Sequence, residues 1–422
     1  MTPADQNCPS DADPSALSMQ EALNKILALC TPAERIETVD VMTAMHRVLA
    51  SDIYADISVP PFRSSAMDGY AFKHAQGEVA LTIVGSSLAG HPYPGHISDN
   101  CCVRITTGAC VPDEADTVVM QENTTTSSDK LQIDKLPVRG FNVRDIGSDH
   151  TAGELLLSAG TQLKAPEIAL LAGHGINKVT VGKPLVVSVI STGDELHDAG
   201  TNAGAQLKHG GIYDSNRALL ISMLQSPAIQ CIDSGICADS LSSITAAFDQ
   251  SADADLVIST GGVSVGDADF VRDALALSGE LAMWKIAMKP GRPLTFGKLN
   301  SGAVFFGLPG NPVSAAVTCL FFVKPALRRM QRLPLSELVT IEATVDSNLR
   351  KLPGRVEYQR GVLSGTAADG YQVSTTGLQD SHVLTSLHKA NCFVELPLDS
   401  QGADAGSTVT VIPFGAIGDN MI

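Results

Sequence analysis

Five short turns between residues 191 and 314 hold the residue types that an anion needs. In the first, Ser191-Thr192-Gly193-Asp194-Glu195-Leu196, glycine lets the backbone come close to a ligand, and adjacent N–H groups can form a nest for negative charge. Glu195 offers a carboxylate to a metal or a sugar hydroxyl, although the hexapeptide alone reads equally well as a plain turn after a strand. In the second, Ile212-Tyr213-Asp214-Ser215-Asn216-Arg217, Ser215 or Asn216 suits a helix cap, and Asp214 is the residue that a cap does not require. The third runs from Ser259-Thr260-Gly261-Gly262-Val263-Ser264 to Gly266-Asp267-Ala268-Asp269 and lies between an apolar strand and a helix. Its glycines and small hydroxyls suit a phosphate cradle, and Asp267 and Asp269 could place Mg²⁺ beside it. No G-K-[ST] closes it as in a Walker loop, and its glycine spacing is not that of a dinucleotide fingerprint.

The fourth turn, Trp284-Lys285-Ile286-Ala287-Met288-Lys289-Pro290-Gly291-Arg292-Pro293, groups three cations. On one strand, Lys285 and Lys289 would face the same side, since side chains alternate with period two. The fifth, Gly307-Leu308-Pro309-Gly310-Asn311-Pro312-Val313-Ser314, leads into a helix whose first free N–H groups would seat an oxyanion. These cations stand out because the 422-residue chain has a formal net charge of -16. Such a balance argues against nucleic acid and anionic lipid as partners, so any anionic substrate must be held by a local basic cluster. Nine cysteines and ten histidines are scattered without metal-ligand spacing, which argues for a reducing compartment and against a disulfide frame or a zinc site. No secretory signal or bilayer-spanning run is visible, and a cytoplasmic, soluble protein is expected.

The elements that must position these turns fall into blocks. Residues 1–17 are polar, acidic and rich in Pro and Ser, and are expected to be a disordered leader. Ser18-Met19-Gln20-Glu21 is a capping box, with Ala22, Leu23, Ile26 and Leu27 following at helical spacing. Short strands at 81–83, 103–105, 118–119 and 131–133, bounded by Gly, Pro and Asp, predict a β-rich domain. A helix over 166–172 is expected to pack with the first one, which would make the β region an insertion. From 177 to 330 buried-type strands alternate with helices (185–190, 216–224, 229–232, 241–248, 256–259, 268–277, 303–308, 312–330), as in a parallel-dominated sheet that binds ligands at the carboxyl ends of its strands. Short strands alone follow. The fold class is therefore multidomain α/β plus β, divided into a linking domain over 18–53 and 150–176, an inserted β-rich domain over 54–149, a central α/β domain over 177–332 and a C-terminal β domain over 333–422.

In order along the chain, PPFRSSAMDGYA, RITTGA, STGDEL, IYDSN, STGGVSVGDADF, KPGRP and GLPGNPVS resemble the MoeA-type molybdopterin molybdenumtransferases, a family that includes the E domain of gephyrin. The resemblance implies a homodimer with its site in a cleft between subunits and a central domain like molybdopterin adenylyltransferase. It also implies a reaction in which molybdate enters adenylylated molybdopterin and AMP leaves, assisted by Mg²⁺. Carried over by motif, the catalytic set is Asp68, Thr107, Asp149, Glu195, Asp214, Asp269, Lys285 and Lys289. Substrate would be held by Thr192, Gly193, Ser215, Gly261, Gly262, Ser264, Arg292, Pro309, Gly310, Pro312, Ser314, Arg355, Arg360 and Ser381, and Mg²⁺ by Asp214, Asp267 and Asp269. A molybdopterin adenylyltransferase and apo-molybdoenzymes would be partners. Two other readings remain at this stage: an adenylyltransferase-type nucleotide enzyme, and a non-catalytic gephyrin-like scaffold.

Overall fold

The computed structural model describes residues 11–74, 80–200, 207, 209–261, 274, 277–335 and 338–417. The chain divides into two compact units, Thr38–Met45 with Leu49–Thr180, and Met1–Glu37 with His46–Val48 and Val181–Ile422.

The smaller unit is built on a six-stranded sheet in the order Thr117–Met120, Gly69–Phe72, Cys101–Ile105, Ala80–Ser87, Lys130–Ile133, Thr124–Ser127. Both faces of the strand Gly69–Phe72 are covered: Ala71 joins Val103, Ile105 and Val118 on one side, while Tyr70 and Phe72 join Cys102, Val119 and Leu131 on the other. Gly69 is required there, because a Cβ would stand 1.8 Å from the Val119 carbonyl oxygen of the next strand. The helix Ala165–Gly173 belongs to this unit, starts with a proline in its first turn and is followed by Gly175 at φ +74.

The first helix, Met19–Leu29, has its capping box: the Ser18 hydroxyl accepts from the Glu21 amide at 3.2 Å, and Glu21 accepts from the Ser18 amide at 2.9 Å. Its apolar stripe, Ala22 and Ile26, is buried with Leu327 and Met330 in the core of the larger unit. The helix Ala165–Gly173 falls in the smaller unit and Met19–Leu29 in the larger.

The larger unit contains a six-stranded sheet in the order Ile229–Cys237, Leu185–Thr192, Leu256–Thr260, Val304–Leu308, Pro293–Leu299, Gly279–Lys285. The first four strands are parallel and the last two antiparallel. The helices Asn216–Leu224 and Leu241–Gln250 supply crossovers. The expected helix over 268–277 lies largely outside the described residues. Residues 312–330 run as one helical rod, Pro312–Thr318 and Lys324–Met330 joined by a wide turn at Cys319–Val323 in which the Lys324 amide reaches back to the Cys319 carbonyl. Pro325 explains the wide turn: it has no N–H to offer and its ring would clash with the preceding turn of a regular helix.

The last sheet closes on itself. Val356–Thr366 pairs with Gly370–Thr375, which leads through Ile341–Val345 and Thr408–Pro413 to Cys392–Leu396 and back to Val356–Thr366. Val345, Val373, Val394 and Val411 fill its interior, as closure of a small barrel requires. The strand Met288–Lys289 is added to its side, parallel to Val356-Glu357.

Candidate functional site

In the larger unit, parallel pairing puts Ser191, Thr260 and Leu308 in one row at the carboxyl end of the sheet. The turns leaving those strands meet. A Cβ on Gly261, which sits at φ +89, would stand 2.3 Å from the Thr192 carbonyl oxygen, so only glycine fits without displacement. The same imagined atom on Gly310 would lie 3.8 Å from the Gly261 Cα. Asn216 ties the turns together: its amide donates to the Thr260 hydroxyl at 2.8 Å and to the Gly310 carbonyl at 2.7 Å. The hydroxyls of Ser191, Thr192 and Ser259 are buried here without a hydrogen-bond partner among the described residues. Buried polar groups are normally satisfied, so these are open positions at the ligand-binding end of an α/β sheet; strand alternation turns Ser191 with Thr260 to one face, and Thr192 and Ser259 to the other. Glu195 is exposed, with its carboxylate folded over Gly193 to 2.7 Å from the Cβ position.

Two expectations change in this region. The helix Asn216–Leu224 has Ser215 at its N-cap position, but that side chain makes no capping bond. Asp214 caps it instead, accepting from the Arg217 amide at 3.2 Å and from the Arg217 Nε at 3.0 Å. Arg217 also pairs with Asp198 and Asp233. The Asp214 side chain is 2% exposed and pairs with the Arg217 guanidinium. Among the described residues no group of three His, Cys, Asp or Glu could hold a metal ion. Gly262, Ser264, Asp267 and Asp269 lie outside the described residues.

The oxyanion seat at the fifth turn is also narrower than expected. Pro312 occupies the first helical turn without an N–H, and the Val313 amide already donates to the Ser381 carbonyl at 3.1 Å. Asn311 turns its amide to the Ser381 hydroxyl at 2.8 Å, and Ser314 is buried. Ser381 thereby joins the sheet end to the barrel. Near it, Arg360 is 1% exposed, donating from Nε to the Ser386 hydroxyl at 3.0 Å and from its other end to the Asp380 carbonyl at 3.1 Å. Burial lowers its pKa to about 10, so it remains a cation at neutral pH.

Lys285 and Lys289 do not share a strand. Lys285 ends the strand Gly279–Lys285 of one sheet, whereas Lys289 lies in Met288–Lys289 of the other. Lys289 Nζ is 3.3 Å from the Glu357 carboxylate, an acid that spacing did not single out. Lys285 Nζ lies 3.0 Å and Arg292 2.7 Å from Asp13, and Arg355 pairs with Asp11. The leader expected to be disordered is thus held from Asp11 to Leu17, because its carboxylates meet these cations and its backbone bonds to the same segments.

In the smaller unit Asp68 accepts from both the amide and the hydroxyl of Thr107, each at 2.7 Å. The backbone bond first, then the hydroxyl, holds its carboxyl below the ordinary value of 3.8. Asp149 is exposed, 3.5 Å from His150 Nδ1. His150 meets the buried His174 edge-on at 5.5 Å. Eight described cysteines are free, and burial pushes the thiols of Cys102, Cys319 and Cys392 up to about 12. Such thiols stay protonated and are poor sulfur ligands.

The chain matches three family descriptions in succession: the MoeA N-terminal region (domain I and II) over residues 17–175, a probable molybdopterin binding domain over 188–329, and the MoeA C-terminal region (domain IV) over 342–414. It is 38% identical over 403 residues to a molybdopterin molybdenumtransferase from Haemophilus influenzae, covering 94% of this chain and 98% of that protein. It is 33% identical to a gephyrin from Dictyostelium discoideum over 94% of this chain, but spans only 62% of that longer protein. The crystal structure of a molybdopterin biosynthesis protein, moeA, from Pyrococcus horikoshii OT3 superposes with a TM-score of 0.80 at 27% identity, covering 94% of this chain and 100% of that one.

Proposed function

The chain belongs to the MoeA family of molybdopterin molybdenumtransferases, and from that premise we propose that it is a transferase of molybdenum cofactor biosynthesis. Its reaction inserts molybdenum, brought as molybdate, into adenylylated molybdopterin and releases AMP. The observation that carries the reading is the set of unpartnered hydroxyls at the sheet end, Thr192 and Ser259 on one face and Ser191 on the other, beside turns joined through Asn311 and Ser381 to the barrel that holds Arg360. Molybdate and a phosphoanhydride are both oxyanions, and this arrangement offers them O–H donors, close backbone and fixed cations.

In this reading Ser191, Thr192 and Ser259 orient substrate phosphate oxygens, while Lys285 and Lys289 draw in the anions and offset charge on the leaving AMP. The pterin's own dithiolene sulfurs carry the metal, so the buried thiols of this chain need not. Mg²⁺ would be placed by Asp267 and Asp269 beside the substrate phosphates, where such ions usually bridge protein and ligand. Asp68, set by Thr107, and Asp149 serve the site from the partner subunit of a homodimer. The remaining contacts with substrate fall to Gly193, Gly261, Gly262, Ser264, Pro309, Gly310, Pro312 and Ser314. The domain divisions at residues 54, 150, 177 and 333 belong to the same reading, as does a cytoplasmic location; no helix among the described residues is long and apolar enough to cross a membrane. Family matches to all three parts of the chain favour the transferase over a nucleotide enzyme built on the central domain alone.

The test is an insertion assay with purified protein, adenylylated molybdopterin, molybdate and Mg²⁺, following AMP release and cofactor formation. Molybdate-dependent release is expected. Release at the same rate without molybdate would make this a nucleotide enzyme, and no conversion at all would make it a scaffold.

A further inference from the structure

The leader lies on the cations that an anionic substrate would use. Asp13 accepts from Lys285 and Arg292 and, through its other contacts, from the amide and hydroxyl of Ser15 at 3.0 and 2.6 Å. Asp11 pairs with Arg355, and Lys289 and Arg292 add attraction to its carboxylate. The backbone is fixed at both ends. The Asp11 amide donates to the Pro353 carbonyl at 2.8 Å, the Leu17 amide to Lys285 at 2.8 Å, and the Ala287 amide to Leu17 at 2.8 Å. Between these anchors the chain passes so close to Gly354, at φ +106, that a Cβ there would stand 2.3 Å from the Ala12 nitrogen. The fit is therefore steric as well as electrostatic.

We propose that residues 11–17 form an internal strap whose carboxylates stand in for a small oxyanion on Lys285, Arg292 and Arg355, and that a free oxyanion must displace it to bind there. The Lys285 ammonium and the Arg292 guanidinium that Asp13 occupies are donors that phosphate or molybdate takes, while the Ser15 amide and hydroxyl belong to the strap and leave with it. The strap is displaceable because Lys285 and Arg292 remain 50% and 39% exposed, where water and salt weaken ion pairs. It is selective because a dianion engages Lys285 and Arg292 at once, as Asp13 does. The proposal rests on reading these cations as anion-holding groups, but not on the insertion reaction itself.

The experiment compares the full chain with its D11N/D13N variant. Calorimetric titration with inorganic molybdate, inorganic phosphate and AMP is expected to show about tenfold tighter binding of at least one anion to the variant, the effect of removing a charge-assisted competitor. Which anion gains most identifies whether the cluster serves the metal oxyanion or the nucleotide phosphate. In the wild-type chain, saturating amounts of that anion should speed hydrogen exchange of the amides of residues 11–17. Affinities within about twofold of wild type for all three anions would overturn the proposal. So would a leader whose exchange stays slow while the anion is bound. Loss of molybdate-dependent insertion with anion competition intact would instead count against the proposed reaction and leave the strap standing.

Discussion

The two anion-facing regions of the larger unit solve the same problem in opposite ways. At the sheet end the donors are neutral hydroxyls, buried and without partners among the described residues. Around Lys285, Lys289, Arg292 and Arg355 the donors are full charges, half-exposed to nearly buried, and each already paired with an acid. Open hydroxyls make a rigid, weakly attracting seat whose geometry is set by the turns. Paired cations make a strongly attracting surface that must exchange one anion for another. Shape resides in the first region and charge in the second.

The largest expected break in this comparison is Gly261→Ala. Its φ of +89 and the 2.3 Å approach to the Thr192 carbonyl should together cost roughly 3 kcal/mol, read as a lower denaturation midpoint. An equal midpoint would mean that the turns do not set the seat. Lys289→Ala should slow insertion on the order of 10²-fold and also lower the midpoint, since it strips the ammonium from Glu357, whose side chain is 5% exposed. If Lys289 acts only on Glu357, AMP release would be unchanged and the charge region would lose its assigned role. Asn216→Ala leaves the Thr260 hydroxyl and the Gly310 carbonyl without their partner and should destabilise by about 2 kcal/mol. Ser259→Ala removes a hydroxyl that has no described partner, so stability should move by less than about 0.5 kcal/mol while KM for the nucleotide substrate rises. A stability loss there would show that the hydroxyl is already satisfied.

The smallest effect at neutral pH separates the two regions in acid. The Arg355 bond holds the Asp11 carboxyl below its ordinary value of 3.8. A depressed carboxylate stabilises above the unfolded value and loses that contribution as pH falls through the folded one. Hydrogen exchange of residues 11–17 should therefore quicken only below pH 3.8, whereas the unionised hydroxyls of the sheet end should show no such step.

Much of this was legible in the chain. Ser18 and Glu21 announce the first helix because a capping box is local, and the helix Asn216–Leu224 stands where its periodicity puts it. The antiparallel strands Gly279–Lys285 and Pro293–Leu299 did not show, because pairing with Val304–Leu308 rather than local pattern defines them. Lys285 and Lys289 were visible as cations, but the change of sheet between them depends on Met288 pairing with Val356, far along the chain. Asp13 was visible only as part of an acidic leader; its partner Arg292 is 279 residues away. Asp214 as cap in place of Ser215 turns on where Arg217 points, which no spacing rule contains.

The wide turn at Cys319–Val323 carries one more residue than a regular helix would use over the same rise. Seen as arithmetic along the chain, it is a stored insertion. Its five residues are all buried, and Ala326, Leu327 and Met330 beyond it still face the core. A single deletion within 319–323 would keep that facing and remove the slack, leaving Pro325 to meet an ordinary turn. The proline and the extra residue are thus a matched pair, and either should be found to change length or identity only together with the other.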